Sequence, residues 1–452
     1  MKSALLLGLL SISAFATDID KRPPAFPTAR SQAVFTDFTN AYYKIHYDVT
    51  AKTAVVEAHI DLITAEDGEI VFDSVQEPTR IVLDGEETGA DLIATPSKET
   101  LVRAVRKMTT AGHHHLEVTL PLNKELTEFT ETGVKSAFWM SDLSDRGYIE
   151  RYLPTNFAYD IIPMTFHVKF DGAAINQTIY SNGNVEKISD NEFKIVFEKN
   201  LNTSCPYYHT TPTGSFAERR FSVRSVDGRD LPAIIYIPHD QAARLDGLQT
   251  LTVSLIDELE KDYGAFLHQS ITIYVNGPSG GMEYSGATIT SERALGHELF
   301  HSYFARGIIP ADGNSGWIDE ALASWRDKGY SSIPTLAGTS KIAVLGTYVR
   351  LTDRLAYSFG ERFMSLLNNK FESQGGLKPF LRSFLEKKAF DPIYVQDLID
   401  GINEHYGTDV TDLFNQYVKG QGGIEGMKSN SKKMPHNENH PQLTIEQLKK
   451  LL

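Results

Sequence analysis

The spacing of hydrophobic residues changes near the middle of this chain, and that change constrains the fold more than any other feature. From about Ala33 to Pro238, apolar residues recur at every second position, for example at Val56, Ala58 and Ile60. A period of two is typical of strands with one buried face, and the intervening Asp-Gly turns favour hairpins. The first half is therefore predicted to be an antiparallel β domain.

Helical spacing begins in the second half of the chain. Leu251, Leu255 and Leu259 lie on one face of a segment that ends near Gly264, as expected for an amphipathic helix. A short strand is predicted at Ile271–Val275. Further helices are predicted near residues 290–306, 316–328, 338–356, 358–373, 377–388, 392–406 and 409–419. The second half is therefore predicted to be mainly helical, with a small sheet at its front.

These patterns predict an α+β multidomain chain. We assign residues 17–240 to the N-terminal β-sheet domain, residues 241–420 to a mainly helical domain, and residues 421–452 to a polar tail. The tail is rich in Gly, Asn, Ser and Lys as far as Gln442, so it is expected to be poorly packed there. Thr444 and Gln447 have the spacing of a capping box, which predicts a short terminal helix.

The first 16 residues have the three parts of a secretory signal peptide. Lys2 supplies a basic start, an apolar run extends from Ala4 to Ile12, and Ala14-Phe15-Ala16 is a small-x-small cleavage site. The apolar run is shorter than the roughly 20 residues that a membrane span needs. We expect cleavage after Ala16, export to the periplasm or the medium, and no stable membrane anchor afterwards.

Charge and cysteine content narrow the class of protein further. The chain has 44 basic and 58 acidic residues and a formal net charge of −14. An acidic surface without a basic cluster repels phosphate backbones, so nucleic acids are not expected partners. The single cysteine allows no internal disulfide, which fits a bacterial periplasm or medium better than a disulfide-rich secreted protein.

Residues 297–301 read His-Glu-Leu-Phe-His. On a helix, His297 and His301 lie on the same face one turn apart, so both imidazoles can reach one metal ion at about 2.0–2.1 Å. In such a motif the carboxylate of Glu298 does not bind the metal but takes a proton from water that the metal acidifies. The pattern predicts a zinc hydrolase with one Zn²⁺ per chain.

A catalytic zinc has three protein ligands and one open position, so a third ligand is needed on a neighbouring helix. Eighteen residues separate His301 from Glu320, and the loop at 308–314 between them allows a second helix to turn back beside the first. Asp319 is an alternative ligand. Spacing alone does not distinguish these two carboxylates.

The motif, the eighteen-residue interval and a glutamate in a Trp-x-x-Glu-Ala setting resemble the aminopeptidase-N-like zinc metallopeptidases, the gluzincins that include leukotriene A4 hydrolase. The resemblance implies a thermolysin-like catalytic domain after the β domain and selects Glu320 as the third ligand. It also implies an enzyme that hydrolyses N-terminal residues from peptide substrates.

A segment upstream of the motif, Gly280-Gly281-Met282-Glu283-Tyr284, resembles this family's exopeptidase signature Gly-x-Met-Glu-Asn. By this resemblance Glu283 binds the free α-amine of the substrate. The flanking edge strand, with Gly280, Gly281 and Met282, then pairs with the substrate backbone. Tyr284 stands where the signature has asparagine, which changes the predicted shape of the amine pocket.

The family also uses a tyrosine in a Tyr-x-x-Gly context to stabilise the oxyanion. Tyr357, followed by Ser-Phe-Gly, resembles that residue, and Tyr348 is the alternative. Other members of the family continue into a large C-terminal helical domain that covers the active site. We expect this chain to be a short form without that domain.

Two other functions stay open at this point. An uncovered cleft would suit a zinc endopeptidase that cuts internal bonds, and a non-catalytic peptide-binding protein could keep the same fold. The run His113-His114-His115 is not expected to form a metal site, because consecutive side chains on a strand point in different directions.

Overall fold

The computed structural model describes residues 22–98, 100–141, 148–156, 160–201, 206–277, 280–349, 351–421 and 443–452. The predicted signal peptide and most of the predicted polar tail lie outside the described residues, so export stays a prediction.

The first half of the described chain is built from strands, as the period of two predicts. In chain order they are β1 Phe26–Pro27, β2 Gln32–Val34, β3 Asp37–Asp48, β4 Thr53–Thr64, β5 Gly68–Phe72, β6 Arg80–Leu83, β7 Glu86–Thr88, β8 Ala90–Ala94, β9 Leu101–Thr109, β10 Gly112–Pro121, β11 Thr127–Phe129, β12 Val134–Ala137, β13 Met164–Asp171, β14 Gln177–Ser181, β15 Asn184–Ser189, β16 Glu192–Val196 and β17 Tyr208–Pro212. A short 3-10 helix, Ile149–Arg151, interrupts them.

These strands form three sheets within the described residues. The largest has eight strands in the order β15-β16-β13-β3-β4-β10-β6-β7, and the others have the orders β1-β2-β5-β9-β8 and β11-β12-β17-β14. Most pairs are antiparallel, as predicted, but β13 pairs with β3 in parallel and β2 pairs with β5 in parallel. Parallel neighbours need a long connection between them, and periodicity carries no information about such pairing.

Buried aromatic residues fill the first half. Phe166 has no exposed surface, and its ring centroid lies 5.7 Å from that of Tyr43, 6.0 Å from that of Phe138 and 4.8 Å from that of Phe197. Burying one such side chain stabilises the fold by about 1.5–3 kcal/mol.

The second half combines one sheet with helices. Its elements are β18 Ala217–Arg224, β19 Asp230–Ile237, α1 Leu245–Tyr263, β20 Ile271–Val275, β21 Gly281–Tyr284, β22 Ala287–Thr290, α2 Leu295–Phe300, β23 Ile309–Pro310, α3 Ile318–Asp327, α4 Phe359–Lys370, α5 Lys378–Lys388, β24 Pro392–Ile393, α6 Val395–Tyr406, α7 Thr411–Tyr417 and α8 Ile445–Lys449, with 3-10 helices at His239–Arg244, Arg354–Ala356 and Glu372–Gln374. The predicted helix ending near Gly264 and the predicted strand Ile271–Val275 are both confirmed. Among the described residues, no helix combines the length and the apolar character that a bilayer span needs.

A five-stranded sheet with the order β18-β19-β20-β22-β21 joins the two halves. On one face Tyr236 and Tyr274 pack into the first-half core, while on the other Ile235 and Ile273 pack against the helices. Strands β18 and β19 precede residue 240 but are hydrogen-bonded into this sheet. Strand β21 lies at an edge of this sheet, and the chain continues from β22 into α2.

The helix predicted over 290–306 is much shorter in the structure, where α2 spans only Leu295–Phe300. Beyond it the chain turns: Ala305 has a φ of 144°, and the backbone N–H of Arg306 donates to the carbonyl of His301 at 3.0 Å. Tyr303 and Phe304 are buried in that turn. Apolar residues that are buried on every side cannot reveal whether they lie on a helix or in a turn.

The helix predicted over 338–356 is wrong for the described residues of that segment, which hold only the 3-10 helix Arg354–Ala356. Gly338 and Gly346 have φ values of +82° and +117°, which right-handed helices do not use. The N–H of Ser340 donates to the carbonyl of Tyr417 at 2.7 Å. Tertiary hydrogen bonds therefore replace the helical ones here.

The terminal helix predicted from the capping box is confirmed as α8, where Thr444 and Gln447 cap each other's backbone. Ile445 and Leu448 belong to the first-half core, and the hydroxyl of Tyr274 donates to the carbonyl of Leu451 at 3.0 Å. The end of the chain therefore returns to the β-rich half.

Candidate metal centre

Helices α2 and α3 bring the predicted zinc ligands together. His297 lies on α2, His301 follows the last residue of that helix, and Glu320 lies in the first turn of α3. All three are almost fully buried. Leu295 and Leu299 anchor α2 in the second-half core, so the side of α2 that carries the histidines faces α3.

The three side chains converge on one point. Glu320 Oε2 lies 3.1 Å from Nε2 of His297 and 3.5 Å from Nε2 of His301, and the three ligand atoms lie within 4.8 Å of one another. Nε2 of His301 is buried and, apart from this ion pair with Glu320, makes no hydrogen bond to any described residue. A buried polar atom is costly unless it is satisfied, and two imidazoles with one carboxylate are a typical zinc donor set. The residues present therefore fit a zinc ion.

The charges of the three predicted ligands indicate which protons a bound metal ion would displace. Burial lowers the pKa of His301, but Glu320 and Glu283 outweigh it and raise that pKa to about 10. Burial likewise opposes the charge on Glu320, yet both histidines bring the pKa of that carboxyl well below its usual range. Without metal, protons on the imidazoles supply the positive charge, so a binding metal ion must displace them.

Outer hydrogen bonds orient both imidazoles. Nδ1 of His297 lies 2.7 Å from Asp327 Oδ2, and Nδ1 of His301 lies 3.1 Å from the carbonyl oxygen of Phe304. With Nδ1 donating to these oxygens, Nε2 of each ring is the nitrogen that can give up its proton and bind a metal. Sequence analysis missed Asp327. Its position seven residues after Glu320, two turns along the same helix face, could have indicated it.

Replacing Asp327 with asparagine is expected to weaken zinc binding by about 10–100-fold, because partners of ligating histidines have effects of that size. Competition with a chromogenic chelator measures the change. Asp257→Asn, at an exposed position of α1, is the matched control and should bind zinc like the unmodified chain. Equal affinity in Asp327→Asn would contradict the orienting role.

The two candidate oxyanion tyrosines lie in different surroundings. The Tyr357 hydroxyl donates to Glu320 Oε1 at 2.6 Å. The Tyr348 hydroxyl donates instead to the carbonyl of Pro24 at 2.8 Å, and its ring packs on Phe26 with centroids 5.8 Å apart. The structure therefore brings Tyr357, rather than Tyr348, next to a predicted metal ligand.

Asp319, the alternative third ligand, is placed differently from Glu320. Its Oδ1 accepts the backbone N–H of Glu320 at 2.6 Å, and its carboxylate is grouped with Glu283 and His301 rather than with both histidines. Burial raises the pKa of Asp319. The geometry thus favours Glu320 as the ligand.

Glu298 lies against the edge strand β21. A Cβ atom placed on Gly281 would come within 2.2 Å of Glu298 Oε1, so only glycine leaves room for the carboxylate there. Burial raises the pKa of Glu298, and the carboxylates of Glu283 and Glu320 act in the same direction. The raised pKa suits a group that exchanges protons near neutral pH.

The predicted amine-binding segment forms β21, where alternate side chains point to opposite faces. Met282 and Tyr284 belong to the first-half core, and the Tyr284 hydroxyl accepts the backbone N–H of Met140 at 3.0 Å. Gly280 precedes the strand and accepts the backbone N–H of Ser291 at 3.0 Å. Of the predicted substrate-binding side chains, Glu283 is the one that lies beside the metal cluster.

Glu283 is paired with a buried cation that sequence analysis did not recognise as part of the site. Arg306 Nη2 donates to Glu283 Oε1 at 2.9 Å, and the two side chains are 7% and 3% exposed. In the sequence Arg306 marked only the expected end of a helix. The ion pair neutralises much of the negative charge that would attract a substrate amine.

Comparison with known proteins relates this geometry to solved structures. No protein-family model matches the sequence, and no curated protein matches it significantly. Many solved structures are similar in fold. A variant of the M1 zinc metallopeptidase from Deinococcus radiodurans bound to a Tyr-Ser-Ala substrate has a TM-score of 0.63 at 13% identity, covering 86% of this chain and 95% of that one.

Two larger proteins match as well. Native leukotriene A4 hydrolase from Saccharomyces cerevisiae has a TM-score of 0.58 at 13% identity, over 82% of this chain and 65% of that one. Aminopeptidase A from Legionella pneumophila, in complex with aspartic acid, has a TM-score of 0.63 at 13% identity, over 89% of this chain but 51% of that one. The chain therefore has the fold of the M1 zinc metallopeptidases, a β-rich N-terminal region followed by a helical part, and the family resemblance predicted from sequence is confirmed at the level of fold.

Proposed function

We propose that this chain is an exported zinc-dependent aminopeptidase with a thermolysin-like catalytic domain. The observation that carries the proposal is the buried convergence of His297, His301 and Glu320, with Glu298 held beside an edge strand. The fold is shared with an M1 zinc metallopeptidase variant that was solved with a Tyr-Ser-Ala substrate bound and with an aminopeptidase that was solved in complex with aspartic acid. Peptide cleavage by the zinc-loaded chain tests whether the shared fold carries the same chemistry here.

Zinc, when bound, would acidify a water molecule and polarise the scissile carbonyl. The chain's own residues do the rest. Glu298 accepts a proton from the attacking water and passes it to the leaving amine. The raised pKa of its buried carboxyl makes both steps accessible near neutral pH.

Substrate placement would depend on β21 and two side chains. An extended peptide can pair with the terminal strand of a sheet through main-chain hydrogen bonds, and β21 is such a terminal strand, with all four of its residues buried. The hydroxyl of Tyr357, now on Glu320, would turn to donate to the oxyanion. Glu283 would bind the α-amine of the first residue.

A second function, zinc endopeptidase, is favoured by one specific contact. Arg306 donates to the carboxylate of Glu283 at 2.9 Å, at the position where the amine of an exopeptidase substrate would bind. A substrate amine must displace or share this pair, and breaking a buried ion pair is unfavourable. Cleavage of an internal peptide bond does not require a substrate amine to disturb this ion pair.

Peptide cleavage separates these functions. Each test peptide is supplied in free and N-acetylated form, incubated with zinc-loaded protein and analysed by mass spectrometry. We expect stepwise loss of N-terminal residues from the free peptides alone, because acetylation removes the charge of the α-amine that Glu283 would bind.

Glu298→Gln serves as the control for this assay and should leave nearly all of each peptide intact over the same incubation. Internal cleavage of both the free and the acetylated peptides would contradict the aminopeptidase proposal and support an endopeptidase. No cleavage of any peptide by the zinc-loaded chain would overturn the enzymatic proposal in favour of peptide binding.

A further inference from the structure

A second group of metal-binding side chains lies in the β-rich half, away from α2 and α3. Strands β4 and β10 pair antiparallel, with His59 opposite Glu117 and Asp61 opposite His115. Their neighbours in sequence, such as Ile60 and Leu116, are buried in the core. Since side chains alternate along a strand, the four polar residues form a compact patch on the opposite face of the sheet.

Three of these residues have the geometry of a metal site. The candidate ligand atoms of His59, His115 and Glu117 all lie within 4.8 Å of one another, the same limit that the catalytic cluster satisfies. The rings of His59 and His115 have centroids 6.2 Å apart and an interplanar angle of 31°. Each residue is half-buried, so packing partly orders the side chains.

The hydrogen bonds around the patch leave ring nitrogens that can bind a cation. Nε2 of His59 is buried and finds no hydrogen-bond partner in the part of the chain that the structure describes. Nδ1 of His115 lies 2.7 Å from Asp61 Oδ1. A ring that donates from Nδ1 to a carboxylate carries its lone pair on Nε2, an arrangement typical of ligating histidines.

Glu117 is oriented from the other side. Arg80 Nη1 donates to Glu117 Oε2 at 3.0 Å, and ligating carboxylates are commonly held by such bonds. Two imidazoles and a carboxylate suit zinc and similar divalent transition metals, whereas magnesium and calcium prefer oxygen ligands alone. Solvent at the outer face can supply the fourth ligand.

We propose that His59, His115 and Glu117 bind a second divalent transition-metal ion of the zinc class on the outer face of the eight-stranded sheet. This site is independent of the catalytic cluster and does not depend on the proposed peptidase activity. A bound ion links β4 to β10.

The histidine run shows why sequence alone did not reveal this site. Of His113, His114 and His115, only the last belongs to the cluster. His114 points elsewhere, with Nδ1 2.8 Å from Asp84 Oδ2, and His113 lies opposite Ile63, one residue pair farther along the face. Consecutive histidines indeed do not converge. The second imidazole comes from β4, through a strand register that no local pattern specifies.

Equilibrium dialysis against buffered free zinc, followed by metal analysis, tests the site in the full chain. His59→Ala and His115→Ala are each expected to bind one zinc fewer per chain than the unmodified protein, while peptide cleavage stays unchanged. His113→Ala is the matched control and should lose no zinc. Asp61→Asn should weaken the second site by about 10–100-fold.

The result is the difference in zinc bound per chain between each variant and the unmodified protein. Zinc at the His297, His301 and Glu320 site contributes equally to both and cancels. The same zinc content in the unmodified chain, His59→Ala and His115→Ala would overturn the proposal. Thermal unfolding and circular dichroism identify a misfolded variant. His59→Asn and His115→Asn are milder substitutions on the two different strands. Each must also bind one zinc ion fewer per chain than the unmodified protein.

Discussion

Glu298→Gln is expected to lower kcat by about 10²–10⁴-fold, the range over which general acid–base groups contribute, without loss of zinc. Glutamine has nearly the same size and can occupy the space beside Gly281. It cannot accept a proton from water, however, and the ligands His297, His301 and Glu320 are untouched by the change.

The measurement pairs steady-state kinetics with zinc analysis of the same protein sample. A fall in kcat at full zinc occupancy separates a proton-transfer role from a metal-binding role. Glu292→Gln, on an exposed carboxylate that pairs with Arg244, is the matched control. Near-normal turnover in Glu298→Gln would show that another group moves the proton, and loss of zinc would show that Glu298 helps to bind the metal.

His301→Ala is expected to weaken zinc binding by more than about 100-fold, since even the indirect partners of ligands contribute 10–100-fold, and to abolish peptide cleavage. Zinc at 100 times its Kd should stabilise the unmodified fold by about 2.7 kcal/mol through mass action. The variant should lose this stabilisation. His239→Ala removes an exposed histidine and should respond to zinc normally.

The same site predicts how zinc affinity depends on pH. In the metal-free chain the pKa of His301 is raised to about 10, so the ring is protonated at neutral pH and zinc must displace that proton. Apparent affinity should therefore rise as pH increases toward about 10 and fall as pH decreases. Titration of zinc at several pH values measures the slope. Affinity independent of pH, or an unchanged thermal response in His301→Ala, would contradict this ligand assignment.

Much of the fold followed from local pattern. The period of two predicted the β-rich half, and the apolar stripe of Leu251, Leu255 and Leu259 predicted the helix that ends before Gly264. These predictions worked because each element buries one face, and one-sided burial makes apolar residues recur with the period of a strand or a helix. The same reasoning failed over 290–306 and 338–356, where chain turns are buried on several sides or bonded to distant backbone.

The sequence by itself determined the chemistry of the candidate zinc site. His297 and His301 are one helical turn apart, and Glu298 adjoins the first of them, so local helix geometry brings the donor atoms together without knowledge of the fold. Glu320 needed more, because the eighteen-residue spacing left Asp319 as an alternative. The family resemblance selected Glu320, and the packing of α2 on α3 favours it.

Only the tertiary structure decided which residues modify that chemistry. Arg306 reaches Glu283 because the chain turns after α2, and His59 reaches His115 because β4 and β10 pair in one particular register. The physical reason is the same in both cases. Contacts between separate elements depend on packing and strand register, and these arise from the burial of the whole core rather than from the spacing of neighbouring residues.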